Sequence, residues 1–384
     1  MYAHLSGLPD HMGDLLEDMK YSREEVLHRL RFQKPKYAFR THSGYTNFGM
    51  TAGALAAAAA AGTAWEALSD QLLYTPLGMQ NTSSRFDDFL ARTNRARGHV
   101  RDGNGPMSPV GKWVSKYQRT PDSQTPAAGV SSSVNDLAKW MRLHIGSGKF
   151  DGKPIVDEAA LTATHYPVAH TGFNPFTGLP SFYGLGWNVS YDPQGRLRIG
   201  HSGAFALGAA TNVQIVPKET LGIVSLTNAF PIGLAEGLNQ TFTDLALYGK
   251  PTQDWLKIYK DYFKNPAAAG IEVGFDYSKP PTKPTLALDN DAYVGIYNND
   301  LYGEFPVIEK DGGLAIVQGP EKLTYPLTHY DRDTFTYVTT GENAVGASGV
   351  AFIVGPDGKA ASIIVENLNT NGMGTLARKL TASS

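Results

Sequence analysis

The sequence predicts an α+β chain in two parts: an antiparallel sheet flanked by helices with a helical lobe, then a small all-β module. Three observations predict it. Helical patterns dominate the chain as far as Leu143. Strand-like runs then succeed one another from Gly184 to Asn228, closed by a helical stretch. Finally, a segment rich in Pro, Ala, Gly and Lys separates this part from short alternating strands over Ala292 to Lys379.

Each element has a local reason. Ser22 to Leu30 reads as a helix, with Ser22 as its cap and Glu25 completing a capping box. Phe48 to Leu73 is Ala-rich and carries Leu55, Trp65, Leu68 and Leu72. It reads as two helices broken near Gly62, with Thr63 capping the second. Tyr74 to Gly111 has turn chemistry and no sustained period. Ser133 to Leu143 is helical, with Val134, Leu137, Trp140 and Met141 on one face. Gly184 to Trp187, Leu197 to Ile199, Thr211 to Val216 and Leu221 to Leu226 read as successive strands, the last two joined by a Pro217 to Thr220 turn. Ile232 to Leu247 is helical. Residues 1–264 then form one domain, 265–285 a linker and 286–384 the β module, and no repeat period recurs.

Composition narrows the function classes. A chain of 384 residues with 42% hydrophobic residues can bury a core. Its net charge of −2 and lack of basic runs argue against nucleic acid as a partner. There are no cysteines, which excludes disulfide scaffolds, thiolate zinc sites and thiol catalysis. The start, Met1 to Gly7, lacks the basic and apolar regions of a secretory signal, and the Ala54 to Ala61 run is too short to span a bilayer. The chain reads as soluble, with its compartment left open. No histidine pattern matches a metal site and no glycine pattern matches a nucleotide loop, so neither metal nor cofactor is expected.

Four candidates for chemistry stand out. Gly200-His201-Ser202-Gly203-Ala204 nearly matches a nucleophile elbow, which needs a strand, a sharp turn and a helix. The residues after Ala204 are strand-like, and the only histidine after Ser202 is His329, in the β module. Tyr45-Thr46-Asn47 places a phenol, able to act as general base, two residues before an amide able to orient a carbonyl; alone it is a structural pattern. His201-Ser202-Gly203 reads as a strand edge, where Gly203 admits a substrate backbone and the Ala204 N–H is an oxyanion donor. Ser133-Val134-Asn135 resembles the S-D-N triplet of penicillin-recognising enzymes, although Ser133 also reads as a plain helix cap.

Together these pieces resemble the serine β-lactamase and penicillin-binding-protein-like hydrolases, in the class C-like branch with D-aminopeptidases and β-lactamase-fold esterases. The resemblance rests on order and spacing over residues 1 to about 250. His4-Leu5-Ser6-Gly7-Leu8-Pro9 is similar to the family's HTSGLP turn, and Phe39 to Met50 to its Tyr-x-Asn segment. Leu77-Gly78-Met79 is similar to PLGM, and Pro126 to Val130 followed by Asp136-Leu137-Ala138 to the AGG and DLA landmarks. Tyr183-Gly184-Leu185-Gly186-Trp187 is similar to YGLGW, and His201-Ser202-Gly203 to the H-x-G form of the K-T-G strand motif. The C-terminal module resembles the small lipocalin-like barrel appended to such hydrolases.

The resemblance implies a transpeptidase-like fold and an acyl-enzyme reaction on amide or ester bonds of a small-molecule or peptide substrate. In it Tyr45 is general base or proton shuttle, Asn47 positions the acyl side chain, His201 replaces the K-T-G lysine, Gly203 lines the strand and the Ala204 N–H forms half the oxyanion hole. Ser202 and Phe205 contact substrate. One departure is decisive: no lysine has a serine three residues before it, so the S-x-x-K nucleophile motif is absent. In relatives it precedes the residue 4–9 landmark, and the resemblance implies a missing piece of about one hundred residues. Three readings stay open: a complementing segment or oligomer supplies it, the sequence is a fragment, or the chain is a pseudoenzyme that binds peptide or cell-wall fragments. The Ser202 elbow esterase is the remaining alternative.

Overall fold

The computed structural model describes residues 1–103, 110–265 and 275–380. Residues 266–274 of the expected linker lie outside the described residues. The principal helices in chain order are α1 (Asp14–Asp18), α2 (Arg23–Arg29), α3 (Asn47–Ala60), α4 (Trp65–Ser69), α5 (Val134–Ile145), α6 (Leu234–Tyr248) and α7 (Trp255–Tyr262). The chain divides into two compact units: Met1–His11 with Pro35–Ala269, and Met12–Lys34 with Gly270–Ser384.

The first unit is built on six antiparallel strands, β1 (Ala169–Phe173), β2 (Pro180–Tyr183), β3 (Asn188–Tyr191), β4 (Leu197–Phe205), β5 (Ala209–Val216) and β6 (Leu221–Thr227). They lie side by side in sequence order. A 3-10 turn over Pro217–Glu219, with Thr220 at φ 52°, joins β5 to β6. Helices cover both faces. On one, Met141 of α5 packs with Trp187, Val189, Ile199 and Ile215, and a Cβ on Gly222 of β6 would lie 3.2 Å from the Met141 sulfur. On the other, Asn239 of α6 accepts from Ser225 Oγ at 2.6 Å and donates to the Asn212 carbonyl at 2.8 Å. Residues 222 and 225 differ in parity along β6, so α5 and α6 lie on opposite faces.

Local capping follows the sequence in most places. Ser22 accepts from the Glu25 N–H at 3.2 Å, and Ser133 accepts from the Asp136 N–H at 3.3 Å. Ser133 is therefore the cap of α5. Two expectations are corrected. Gly184 to Trp187 is a turn between β2 and β3, closed by Gly184 N–H donating to the Trp187 carbonyl at 2.8 Å; Gly186 at φ 86° cannot continue a strand. The break at Gly62 (φ 67°) is where expected, but the N-cap of α4 is Ala64, with no side-chain bond.

The second unit is a closed eight-stranded barrel: β7 (Gly295–Asn299), β8 (Gly303–Lys310), β9 (Gly313–Gln318), β10 (Leu323–Asp331), β11 (Thr334–Val338), β12 (Ala347–Val354), β13 (Ala360–Val365) and β14 (Thr375–Arg378). Pairing of Tyr297 with Arg378 closes the ring, which removes the open edges that a flat sheet would expose. Tyr293, Tyr297, Phe305 and Val350 fill it, all fully buried. Residues 12–34 belong to this unit. Asp18 Oδ2 accepts from Asn343 N and Nδ2, both at 2.9 Å, while Oδ1 accepts from Glu342 N at 2.9 Å. The Tyr21 hydroxyl donates to the Tyr302 carbonyl at 2.8 Å. Gly319, at φ 71°, admits this segment, since a Cβ there would overlap the Met19 carbonyl oxygen.

Candidate active site

The site forms where three distant stretches of the first unit meet: residues 4–11, the start of α3, and β2 with β4. Thr46 caps α3, accepting from the Gly49 N–H at 3.2 Å. Tyr45 therefore stands just before the helix and Asn47, half-buried, is its first residue. The Tyr45 backbone is clamped on both sides. Its N–H donates to Asp10 Oδ1 at 2.6 Å and its carbonyl accepts from the His11 N–H at 2.7 Å.

His4 is the centre of the cluster. It is 2% exposed and held at φ 55°. Its ring lies between Tyr45, at 4.2 Å between centroids, and Tyr183, at 4.7 Å. Nδ1 accepts from the Thr46 N–H at 3.1 Å, so a neutral His4 carries its proton on Nε2, which has no partner. Burial first, and then the neighbouring His201, bring its pKa down to about 4.

His201 is fixed by two bonds. Nδ1 donates to the Ser202 carbonyl at 2.6 Å, and Nε2 accepts from the Tyr183 hydroxyl at 2.9 Å. A carbonyl can only accept, so this pair of bonds assigns the neutral Nδ1–H tautomer. Burial lowers the His201 pKa, partly opposed by the Ser202 carbonyl. Burial likewise raises the Tyr183 phenol, which stays protonated as the donor. The Tyr45 ring lies 6.4 Å from that of His201.

Residues 201–205 continue β4 past the end of β3, pairing only with β5. Their other edge has no strand partner among the described residues. Ser202, Gly203 and Ala204 are exposed there. Ser202 lies opposite Asn212, whose Nδ2 donates to its Oγ at 2.9 Å. A Cβ on Gly203 would lie 2.8 Å from Thr211 Oγ1. Phe205 ends the strand with the Arg119 guanidinium 4.3 Å above its ring. This overturns the elbow reading. Ser202 sits inside a continuous strand with no helix after it, and the His329 Nε2 is bonded to the Arg332 carbonyl at 2.9 Å.

The structure thus brings Tyr45 and His201 together, with Asn47 and the 202–205 edge on adjoining elements. Sequence reasoning missed His4 and Tyr183 as members. Both lie inside the landmarks that carried the resemblance, so the signal was a motif rather than a period.

An antiparallel sheet between helices, with a tyrosine at a helix start facing a histidine on the central strand, defines a β-lactamase and transpeptidase-like hydrolase fold. The chain belongs to the Beta-lactamase family, whose model matches residues 2–246. Residues 278–375 match a domain of unknown function, DUF3471. The Unguisins hydrolase of Aspergillus violaceofuscus is 23% identical, over 94% of this chain and 68% of its own length. Beta-lactamase-like protein 2 of Dictyostelium discoideum is 24% identical, over 82% of this chain and 54% of its own. Among solved structures, the octameric penicillin-binding protein homologue from Pyrococcus abyssi is similar in fold. It has a TM-score of 0.56 at 18% identity, over 98% of this chain and 77% of that one.

Proposed function

We propose that this chain provides the proton-shuttling and oxyanion-binding half of a serine hydrolase that opens amide or ester bonds through an acyl-enzyme. The observation that carries the reading is the convergence of Tyr45, His4, Tyr183 and His201 beside an unpaired strand edge. In this reading the nucleophilic serine and its lysine are not among these 384 residues, in which no S-x-x-K occurs.

In that reaction the serine hydroxyl attacks the carbonyl carbon while Tyr45, as a phenolate kept ionised by the S-x-x-K ammonium, accepts its proton. The negative charge that develops on the carbonyl oxygen needs donors already in place. Strand peptides alternate between edges, and the Ser202 carbonyl is taken by His201 rather than by β5. The Ala204 N–H, two residues on, is therefore turned to the same edge, as one of the two oxyanion donors. Tyr45 then returns the proton to the leaving amine or alcohol, and water repeats the cycle on the acyl-serine. Asn47 orients the acyl side chain, and Ser202, Gly203 and Phe205 line the substrate. A neutral His201, with both ring nitrogens engaged, presents no fixed cation to a substrate carboxylate. This favours esters and peptides over carboxylate-bearing β-lactams.

A second reading, a non-catalytic binder of peptides or cell-wall fragments, is favoured by the missing S-x-x-K alone. Assaying ester and amide turnover, and mass of the acylated polypeptide, separates the two. The hydrolase reading expects no acyl adduct on this chain, and turnover once an S-x-x-K-bearing polypeptide is supplied, lost in Tyr45→Phe. Saturable peptide binding with no turnover in either preparation favours the binder. Turnover by this chain alone that survives Tyr45→Phe sinks both.

A further inference from the structure

Beneath the exposed end of β4 lies a buried carboxylate that the proposed reaction does not use. Glu236 stands in the first turn of α6 and is 9% exposed. It accepts from its own N–H and from the Ser202 hydroxyl, and its Oε2 has no hydrogen-bond partner. Burial raises its pKa, and what opposes burial is that N–H and that hydroxyl, not a cation. Beside it, burial first and then the Glu236 charge push the Tyr259 phenol of α7 up to about 12.

The side chains around Ser202 form a chain of bonds that all point toward this carboxylate. Ser225 Oγ donates to Asn239 Oδ1 at 2.6 Å, Asn239 Nδ2 to Asn212 Oδ1 at 2.7 Å, and Asn212 Nδ2 to Ser202 Oγ at 2.9 Å. Ser202 then gives its proton to Glu236. A hydroxyl has a single proton, so Ser202 keeps none for a ligand lying along the edge. The neighbouring His201 is neutral, and its Nδ1 proton is taken by the Ser202 carbonyl. Arg198, on the same face of β4 as Ser202, lies 3.9 Å from Asp192 Oδ2. A substrate carboxylate next to Ser202 therefore meets no free side-chain proton from Ser202 or His201, and it meets a negative charge one hydroxyl away. A neutral ester or amide group there has no charge to be repelled.

We propose that Glu236 is a specificity-determining residue of the β4 edge, which turns away substrates carrying a carboxylate beside Ser202 and admits neutral esters and amides. The proposal rests on the reading of that edge as the substrate site. It assigns the discrimination to an acid on α6 that does not touch the reacting atoms.

The test is the binding of a matched pair of ligands to the full chain at pH 8, followed by ligand-observed NMR. The pair is N-acetyl-alanyl-alanine with its free carboxylate and the C-terminal amide of the same dipeptide, each in L and D forms. The amide is expected to bind about tenfold tighter, the scale of two like charges across a partly wet edge. Glu236→Gln keeps the shape and an acceptor for Ser202. It is expected to bring the two affinities within about twofold, by strengthening carboxylate binding alone. Glu236→Asp keeps the charge and is expected to keep most of the preference. A preference unchanged in Glu236→Gln overturns the proposal while the reading of the edge stands. Its loss in both variants would trace the effect to shape and overturn it too, as would tighter binding of the carboxylate by the parent. If neither ligand binds, the edge is not a substrate site, and the functional reading falls together with the proposal. Should Glu236→Gln not fold, the parent decides: about 1 M salt screens the charge and is expected to shrink the preference about threefold. A preference indifferent to salt overturns the proposal.

Discussion

The Tyr183 hydroxyl donates to His201 Nε2 across 2.9 Å, joining the end of β2 to the exposed end of β4. With Nδ1 held by the Ser202 carbonyl, the imidazole is neutral and its orientation is set from both sides. A donor to the neutral ring opposes protonation, in the same direction as burial. Tyr183→Phe is therefore expected to raise the His201 pKa toward its ordinary value. An NMR titration of the His201 ring checks this. An unmoved or lower pKa would show that the bond does not tune the histidine.

Tyr45→Phe is expected to lower kcat about 10²- to 10⁴-fold in any preparation that turns over, the usual contribution of a positioned general base. The fold should survive. The Tyr45 backbone, not its hydroxyl, makes the bonds to Asp10 and His11, and its ring contact with His4 remains. Near-normal kcat with an unchanged melting temperature would remove Tyr45 from the mechanism.

Asp10 is exposed but holds the Tyr45 N–H at 2.6 Å. Asp10→Ala should cost about 1–2 kcal/mol in urea unfolding, the scale of a hydrogen bond to a charged group discounted for exposure. Asp10→Asn keeps an acceptor and should recover most of it. Equal losses in the two variants would locate the effect elsewhere than in this bond.

Ser202→Ala tests the discarded elbow. Its Oγ accepts from Asn212 and belongs to a continuous strand, so activity should change by no more than severalfold. Loss of all turnover would restore Ser202 as a nucleophile.

Much of this was legible locally. The strand-like runs Thr211 to Val216 and Leu221 to Leu226, joined by the Pro217 to Thr220 turn, marked β5 and β6, and Ser22 and Ser133 announced their helices. Gly184 to Trp187 misled because aromatic and branched residues suit strands, whereas Gly186 at positive φ turns the chain. The attachment of Met12–Lys34 to the barrel unit leaves no local trace. It rests on Asp18, Tyr21 and Arg29 reaching backbone groups some 270 to 330 positions away, and no window of sequence encodes such a pairing. His4 was visible only as part of a motif, since its role comes from the two rings around it.

The buried histidines predict how the fold responds to acid. His4, with a pKa of about 4, His144, at about 3, and His165 and His201 all sit below their ordinary value, with burial the first cause in each. The unfolded chain takes up protons near pH 6.5 while the folded chain stays neutral. Falling pH therefore favours unfolding, and the loss runs from about pH 6.5 down through the folded values. His4 alone contributes on the order of 3 kcal/mol to that loss. His4→Asn keeps an acceptor for the Thr46 N–H but cannot titrate. Urea unfolding between pH 7 and pH 4 should show a shallower decline in this variant than in the parent. Parallel declines would mean that His4 does not stay neutral in the fold.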